Sequence, residues 1–519
     1  MTTNRDVIWL FGIPIDRLTT RRTVERIMEI AESREEGAAP RLVTTVNVDF
    51  LANALPWFGS AARHPELLRI LRRADISTAD GMPLVWASRL LGTQLPERVT
   101  GADMVPRLAA EAARRDLSIY LFGGRVEVAQ NAADILQEQH PGLRIAGVDS
   151  PFVITTGSHL ATAQEEDQPL CERINAADPD ILLIAFGNPK QELWFARNRH
   201  RLQAGIALGI GGTFDFIAGR TTRAPLWMQK HGLEWLYRLW QEPRRLFRRY
   251  LVDGLKLGIY VSSAWRTYRL GQLRELITRG RGERPELPTV SLFYSGEHAI
   301  RLINLDYETL SDDQSEFLEA VRETGEGEAL VFDCAALNVL DADRQGAFMM
   351  GWQAAQQTRR PVFLTNLGRP LRRSLQSNRC WDILAPYACK TPAETLARLS
   401  PVWPEERGYI SIEKTPERLE LKIFGMLETA DVANVDVQTL AEQFAHQPCL
   451  VNLELCSTID STGIGFLSRV HNECVSNGYQ FCITGTTPET YNMIRASGLA
   501  HTLEVIPDVA KARRALAEQ

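Results

Sequence analysis

The feature that most limits the fold of this chain is the regular alternation, over residues 1–220, of short apolar runs with helix-patterned stretches. The runs "LVTTVNV" (42–48), "SIYLFGG" (118–124), "RIAGVDS" (144–150), "DILLIAFG" (180–187) and "AGIALGIGG" (204–212) read as strands. Between them lie segments such as "GADMVPRLAAEAARR" and "RVEVAQNAADILQEQH", with apolar residues at helical spacing. Such alternation predicts a sheet covered by helices on both faces. Ligands of these sheets bind beyond the carboxyl ends of the strands, so the polar residues just after each run are the ones to inspect.

With 519 residues the chain is too long for one core, and 45% hydrophobic with 24% charged residues is an ordinary soluble balance. The N-terminal run "VIWLFGIPI" is short, is broken by Gly12 and Pro14, and is followed by Asp16 and Arg17. It reads as a buried strand, not as a secretory signal. Nothing approaches the run of about 18 apolar residues that a membrane-spanning helix needs. "YLVDGLKLGIYVSSAW" (250–265) comes nearest and is interrupted by Asp253 and Lys256. The eight cysteines show no CxxC spacing and sit largely in apolar runs, which suits small core residues in a reducing compartment rather than a zinc site. A net charge of −6 gives no general reason to expect nucleic-acid binding, and no nucleic-acid-binding fold is recognisable.

After residue 220 the pattern changes. Residues 221–275 are rich in Trp, Leu and Arg with few strand signals, and "ELITRGRGERPEL" (276–288) reads as a polar linker. The remainder holds two similar halves. "EALVFDCAALNVLDADRQGAFMMGWQAAQQTRRPVFLTNL" (328–367) and "PCLVNLELCSTIDSTGIGFLSRVHNECVSNGYQFCITGT" (448–486) each run strand, loop with a central Asp, helix, strand. This is the mark of an internal duplication.

Six motifs in the first 250 residues carry a family resemblance: "TTVNVDF" (44–50), "ADGMPLVW" (79–86), "ERVTGADM" (97–104), "GNPKQE" (187–192), "GIGGTFDFIAGRTTRAP" (209–225) and "GLEWLYRLWQEPRRLFRRY" (232–250). In this order they resemble the WecG/TagA/CpsF family of bacterial glycosyltransferases. The second half of the duplication, through "LVNLELCSTIDSTGIGFL" (450–467), resembles STAS domains of sulfate transporters and anti-sigma-factor antagonists. Together these imply an α/β chain: a Rossmann-like glycosyltransferase domain followed by two small α/β STAS-like domains. The expected boundaries are 1–250 for the transferase, with a basic aromatic appendage from about 221; 251–289 for a helical segment and linker; 290–402 for a degenerate STAS-like domain; and 408–519 for a STAS domain.

The family resemblance implies an inverting transfer from a UDP-sugar to an undecaprenyl-diphosphate-linked saccharide, without metal or other cofactor. The family uses UDP-linked ManNAc, ManNAc uronate and glucose, and the sequence does not choose among them. Such a transfer needs a base for the acceptor hydroxyl, and a carboxylate can serve. Asp80, after the apolar "ISTA", is either that base or a cap for the helix starting at Met82 or Pro83. The diphosphate leaving group needs a metal or several arginines. The one DxD in the first 250 residues, Asp178 and Asp180 of "DPD", lies at the start of a strand, the wrong end for a ligand. That leaves Arg98 of "ERVTG" and Arg238, Arg245 and Arg248 of the tail; the last three match arginines that the family uses for the diphosphate. Thr45, Asn47 and Gln191 match positions that contact donor or acceptor sugar, or else cap helices and turns.

Arg238, Arg245 and Arg248 are spaced i, i+7, i+10, compatible with one helical side, and Pro243 is placed to start a second helix. Basic residues interleaved with Trp227, Trp235, Trp240 and Phe247 form the pattern of a helix in an anionic membrane interface. The expected setting is cytoplasmic, peripheral on the inner face of the plasma membrane. In the STAS-like half, Ser461 of "DSTG" is where regulatory members carry an exposed phosphorylated Ser; it either is that site or only caps its helix. A kinase or a biosynthetic complex is the expected partner of this domain. The first half carries Ala342 at the matching place and lacks the switch. Against an active enzyme stands a second reading, an inactive regulatory or scaffold protein acting through its STAS domains.

Overall fold

The structure, a computed structural model, describes residues 5–35, 37–56, 62–278, 290–295, 298–307, 309–310, 315–323, 328–357, 362–389, 409–414, 418–427, 447–454, 456–500 and 502–516. The run "VIWLFGIPI" is not one strand. It folds back as an antiparallel hairpin, β1 (Val7–Leu10) and β2 (Ile13–Asp16), about a tight turn with both Phe11 and Gly12 at positive φ. A two-residue turn of that kind matches the natural twist of a hairpin.

The alternating region forms a parallel sheet of six strands: β3 (Arg41–Val46), β4 (Ile76–Ala79), β5 (Ser118–Gly123), β6 (Arg144–Asp149), β7 (Ile181–Ala185) and β8 (Ile206–Gly209), in the order β4-β3-β8-β7-β5-β6. The strands β5, β7 and β8 are buried along their whole length, which is why they read as unbroken apolar runs. One face is covered by helices Thr20–Glu32, Gly101–Arg114 and Val126–Gln139, the other by Ala163–Ala177 and Lys190–Asn198. A buried pair, Arg197 with Asp167 at 2.6 Å, ties the last two together; Trp194 and Asn198 also donate to Asp167. With both oxygens so occupied, the buried carboxylate has hydrogen bonds in place of the water it lost. All eight cysteines are buried thiols.

Beyond the sheet, Glu234–Gln241 is a short helix, and Pro243 opens a helix of 36 residues, Pro243–Thr278. The boundary expected at residue 250 falls inside this continuous helix. Pro starts a helix without loss, because the first N–H has no helical partner.

The duplicated halves share one topology. In the first, β9 (Val290–Ser295), β10 (His298–Asn304), β11 (Glu328–Asp333) and β12 (Val362–Thr365) lie in the order β12-β11-β10-β9. In the second, β13 (Tyr409–Lys414), β14 (Leu419–Leu427), β15 (Cys449–Asn452) and β17 (Phe481–Thr484) lie in the order β13-β14-β15-β17, with β16 (Cys456–Ile459) also paired to β14. Each starts with an antiparallel hairpin and continues in parallel. The helices after the Asp loops, Ala342–Gln357 and Ser461–Ser476, also correspond: Asp341 accepts from the Arg344 N–H and Asp460 from the Gly463 N–H.

Both of these helices lie on the first domain. Val7 and Trp9 of β1 belong to the core of the first repeat, and Asp343 takes Arg17 and Thr93 as partners. Leu160 and Ala163 belong to the core of the second repeat, and Arg469 donates to Gln164.

Candidate active site

The loops after β3, β4, β7 and β8, four neighbouring parallel strands, lie at the carboxyl end of the six-stranded sheet. Asn47, after β3, caps helix Val48–Ala54, its Oδ1 accepting from the N–H groups of Asp49 and Phe50. Thr45 lies inside β3, buried, with its hydroxyl donating to the Gly209 carbonyl. After β4 the chain continues one more ladder bond, from the Asp80 N–H to Val46 O, and then turns at Gly81 with φ +152°. An L side chain rarely adopts that φ, so the turn needs its glycine. Gly81, not Asp80, holds the N-cap position of helix Met82–Leu90, and no side-chain cap bond forms there. The helix-capping role considered for Asp80 is therefore not what this carboxylate does.

Asp80 is half-buried, and desolvation pushes its carboxyl up to about 6, against the pull of Arg238 and Arg98; Glu234 and Asp103 add to the rise. The groups around it form a chain of alternating charge. Arg98 Nη1 donates to Glu234 Oε2 at 2.6 Å, and its Nη2 reaches Asp103 Oδ2 at 3.5 Å. Arg223 Nη1 donates to Asp103 Oδ1 at 2.5 Å. Burial works against the Asp103 carboxylate, but the bond and charge of Arg223, with Thr100 and Arg98, hold it below its ordinary range. Arg238, from the helix Glu234–Gln241, stacks over Phe216 at 4.6 Å. Arg98 and Arg238 are thus near enough for their charges to act on Asp80. Asp103, Arg223 and Glu234 were not anticipated, although each lies in a quoted motif.

The opposite wall is built from "GNPKQE". Gln191 is buried; its Oε1 accepts from the N–H groups of Gly187 and Gly211, and its Nε2 donates to Glu192 Oε1 at 2.7 Å. It thereby joins the loops after β7 and β8. Glu192 was also not anticipated. It is buried, and desolvation pushes it up to about 8 despite the bonds from Gln191 and Asn188; the charge of Asp49 adds to the rise. Asn188, which precedes a cis proline, accepts from Asn53, which in turn accepts from Arg63.

The tail divides. Arg248 is exposed, in the exposed stretch that also holds Phe247 and Leu251; the side chain of Arg245 lies outside the described residues. Trp227, Trp235, Leu236, Trp240, Phe247, Leu251 and Leu255 are all exposed. Among the described residues no helix is long and apolar enough to cross a membrane.

Ser461 differs from expectation. It is neither exposed nor the cap: Asp460 caps the helix, and Ser461, its first residue, is 6% exposed. Its N–H donates to Glu66 Oε2 at 2.9 Å and its hydroxyl to Glu66 Oε1 at 3.2 Å. The domain that carries Glu66 covers it.

The family model "Glycosyl transferase WecG/TagA/CpsF family" matches residues 8–270, and the STAS domain model matches 409–512. The N-acetylglucosaminyldiphosphoundecaprenol N-acetyl-beta-D-mannosaminyltransferase of Bacillus spizizenii is 30% identical over 197 residues, 38% of this chain and 72% of the relative. The Bacillus subtilis protein of the same name is 29% identical over 201 residues, 38% and 74%. Among solved structures, an anti-sigma factor antagonist from Mycobacterium paratuberculosis is similar at 17% identity, over 22% of this chain and 98% of that one, with a TM-score of 0.20.

Proposed function

The chain belongs to the WecG/TagA/CpsF family of glycosyl transferases, and on that premise we propose that it transfers a sugar from a UDP-sugar to an undecaprenyl-diphosphate-linked saccharide with inversion, in cell-surface polysaccharide synthesis. The observation that carries this reading is Asp80, a half-buried carboxyl raised to about 6 and set among Arg98, Arg223 and Arg238. A base with that value is ionised at neutral pH yet still basic enough to draw a proton. Asp80 takes the proton of the acceptor hydroxyl as its oxygen bonds to the anomeric carbon. The bond from that carbon to the nucleoside diphosphate breaks, and the leaving oxygen takes the electron pair. Arg238 and its neighbours offset the charge that develops there. Arg98 and Arg223 already hold carboxylates, so they fix the pocket's shape and leave Arg238 as the first cation for the diphosphate. Asn47 and Gln191 shape the sugar site through the loops they hold, Thr45 through the β3–β8 pair beneath them.

The exposed Trp and Leu residues of the tail support docking on the inner face of the plasma membrane, where the acceptor resides. We read residues 290–402 as a degenerate STAS copy and Ser461 as the phosphorylation candidate of the second. Because Ser461 is covered by Glu66, a kinase reaches it only after that contact opens. The test is a donor screen against a diphosphoprenyl-linked GlcNAc analogue, with and without EDTA. Transfer from one UDP-sugar that survives EDTA is expected. No transfer from any of them sinks the reading, and loss with EDTA restored by Mg²⁺ sinks its metal-free form.

A further inference from the structure

The contact between Glu66 and Ser461 lies away from the cleft, and the mechanism above does not use it. Glu66 stands at the start of helix Pro65–Arg73, with Pro65 as the first helical residue. Its two carboxyl oxygens are both taken by Ser461. One turn on, Arg69 Nη2 donates to Ile459 O at 2.8 Å. The segment just before the helix is hooked to the transferase: the His64 N–H donates to Asn53 O, and Arg63 donates to Asn53 Oδ1. Asn53 donates to Asn188, and Asn188 to Glu192, the partner of Gln191. A run of hydrogen bonds and one helix start therefore connects Ser461 to the wall of the cleft.

We infer that the STAS unit is a reversible clamp in cis: Ser461 grips Glu66, the grip steadies the Arg63–Asn53–Asn188–Gln191 wall, and negative charge placed at the grip releases the unit and slows transfer. The sensitivity to charge follows from what surrounds the carboxyl. Burial raises Glu66 to about 8, and Asp460 from the STAS loop adds to the rise; Arg69 on its own helix, Ser461 and Arg197 from helix Lys190–Asn198 oppose it. His64 and Arg63 precede it, and Arg495 on the STAS helix Pro488–Ala496 is exposed. The docked carboxyl holds its proton near neutral pH, whereas a solvated one does not. Docking is thus tightest below the ordinary Glu range and weakens as pH rises from there. A phosphate or carboxylate on residue 461 places a second anion against Glu66 and has the same effect at any pH.

The coupling to the cleft rests on the proposed reading of that cleft; the docking does not, and the test separates them. The 519-residue chain is followed by small-angle scattering from pH 6 to 8.5, by amide exchange at 461–464 and at Gly187 and Gly211, and by transfer to a soluble acceptor analogue. Ser461→Glu is expected to enlarge the radius of gyration, to speed exchange at both sets of amides, and to lower kcat/KM at least tenfold. Glu66→Gln keeps a neutral acceptor and donor at the grip, so it stays docked and loses the pH trend of the parent protein. If Ser461→Glu does not fold, Gly465→Ala is read in its place, because a Cβ there comes within 2.7 Å of the Leu160 carbonyl oxygen and pushes the helix off without touching the grip. Unchanged scattering and exchange in the charge variant overturn the clamp. Undocking with unchanged exchange at Gly187 and Gly211 overturns its link to the cleft, whether or not transfer is detected. Undocking that leaves kcat/KM intact overturns the effect on catalysis.

Discussion

Gly346 and Gly465 occupy the same turn of corresponding helices in the two repeats, and each lies against a backbone carbonyl of the transferase domain. A Cβ would come within 2.6 Å of Val7 O at the first and 2.7 Å of Leu160 O at the second. Neither glycine needs its freedom of backbone conformation; each sits inside a helix, where glycine costs about 1 kcal/mol against alanine. What each position requires is closeness. The repeats therefore dock by one geometry on two different surfaces, with Asp343 meeting Arg17 in one and Ser461 meeting Glu66 in the other.

Gly346→Ala makes this measurable. The substitution improves helix propensity, yet it pushes on the Val7 carbonyl of the β1–β2 hairpin. A loss of about 1–3 kcal/mol is expected, as for overpacking elsewhere. Thermal unfolding of the full chain checks it; an unchanged or higher Tm means the helix can shift freely and the docking is loose.

As the proposed base, Asp80 should set the pH dependence of transfer. A base raised to about 6 is inactive when protonated, so kcat/KM should climb with pH through about 6 and level off above it. Asp80→Asn should lower the rate by about 10²–10⁴-fold and remove that limb. A variant with the limb intact moves the titration to another group.

Glu192 makes a prediction about stability with a defined sign. Its carboxyl is raised to about 8 by burial. The folded state holds a proton that the unfolded state has released, so stability falls as pH rises from the ordinary Glu range to about 8, by about 1.4 kcal/mol per unit. Glu192→Gln keeps the neutral form and should hold a flatter Tm across pH 6–8.5. Glu192→Ala removes the acceptor for Gln191 and should lose activity as well. Equal pH slopes for the parent protein and the Gln variant contradict a buried neutral carboxyl.

Much of this arrangement is legible in the sequence, and what is not has a common cause. Apolar runs buried on both faces declared β5, β7 and β8, and Pro243 marked a helix start, because local chemistry alone decides these. The shared topology of the two C-terminal halves was readable because both keep the Asp loop and the helix. Asp80 became a candidate only through the family motif around it, since an Asp just before a helix reads equally well as a cap. The partners of the arginines were not readable: Arg98 and Glu234 are 136 residues apart, and nothing local in either distinguishes a paired charge from a solvated one. Ser461 and Glu66 are 395 residues apart, and a helix start with a small residue reads the same whether covered or open. The hairpin in "VIWLFGIPI" was missed because Phe11 takes positive φ with only one glycine beside it.

On the proposed reading the tail serves both catalysis and membrane attachment, and different residues test each. Arg238 acts on Asp80 and is stacked on Phe216, whereas Trp240 is 78% exposed and Arg248 is exposed beside Phe247. Arg238→Ala should raise the barrier to transfer by about 2.7–4 kcal/mol, as for loss of a donor to developing negative charge. Its effect on binding to anionic liposomes should stay near the roughly 1 kcal/mol of any one surface charge. Trp240→Ala and Phe247→Ala should show the reverse: weaker liposome binding, with turnover of a soluble acceptor analogue nearly intact. Arg248→Ala is the informative variant, since the family resemblance implies that this arginine serves the diphosphate and the structure exposes it. With Arg248 on the exposed face, its loss should fall on liposome binding. A large drop in turnover of the soluble acceptor would instead mean that the tail folds over the cleft when substrate binds, bringing Arg248 to the diphosphate beside Arg238.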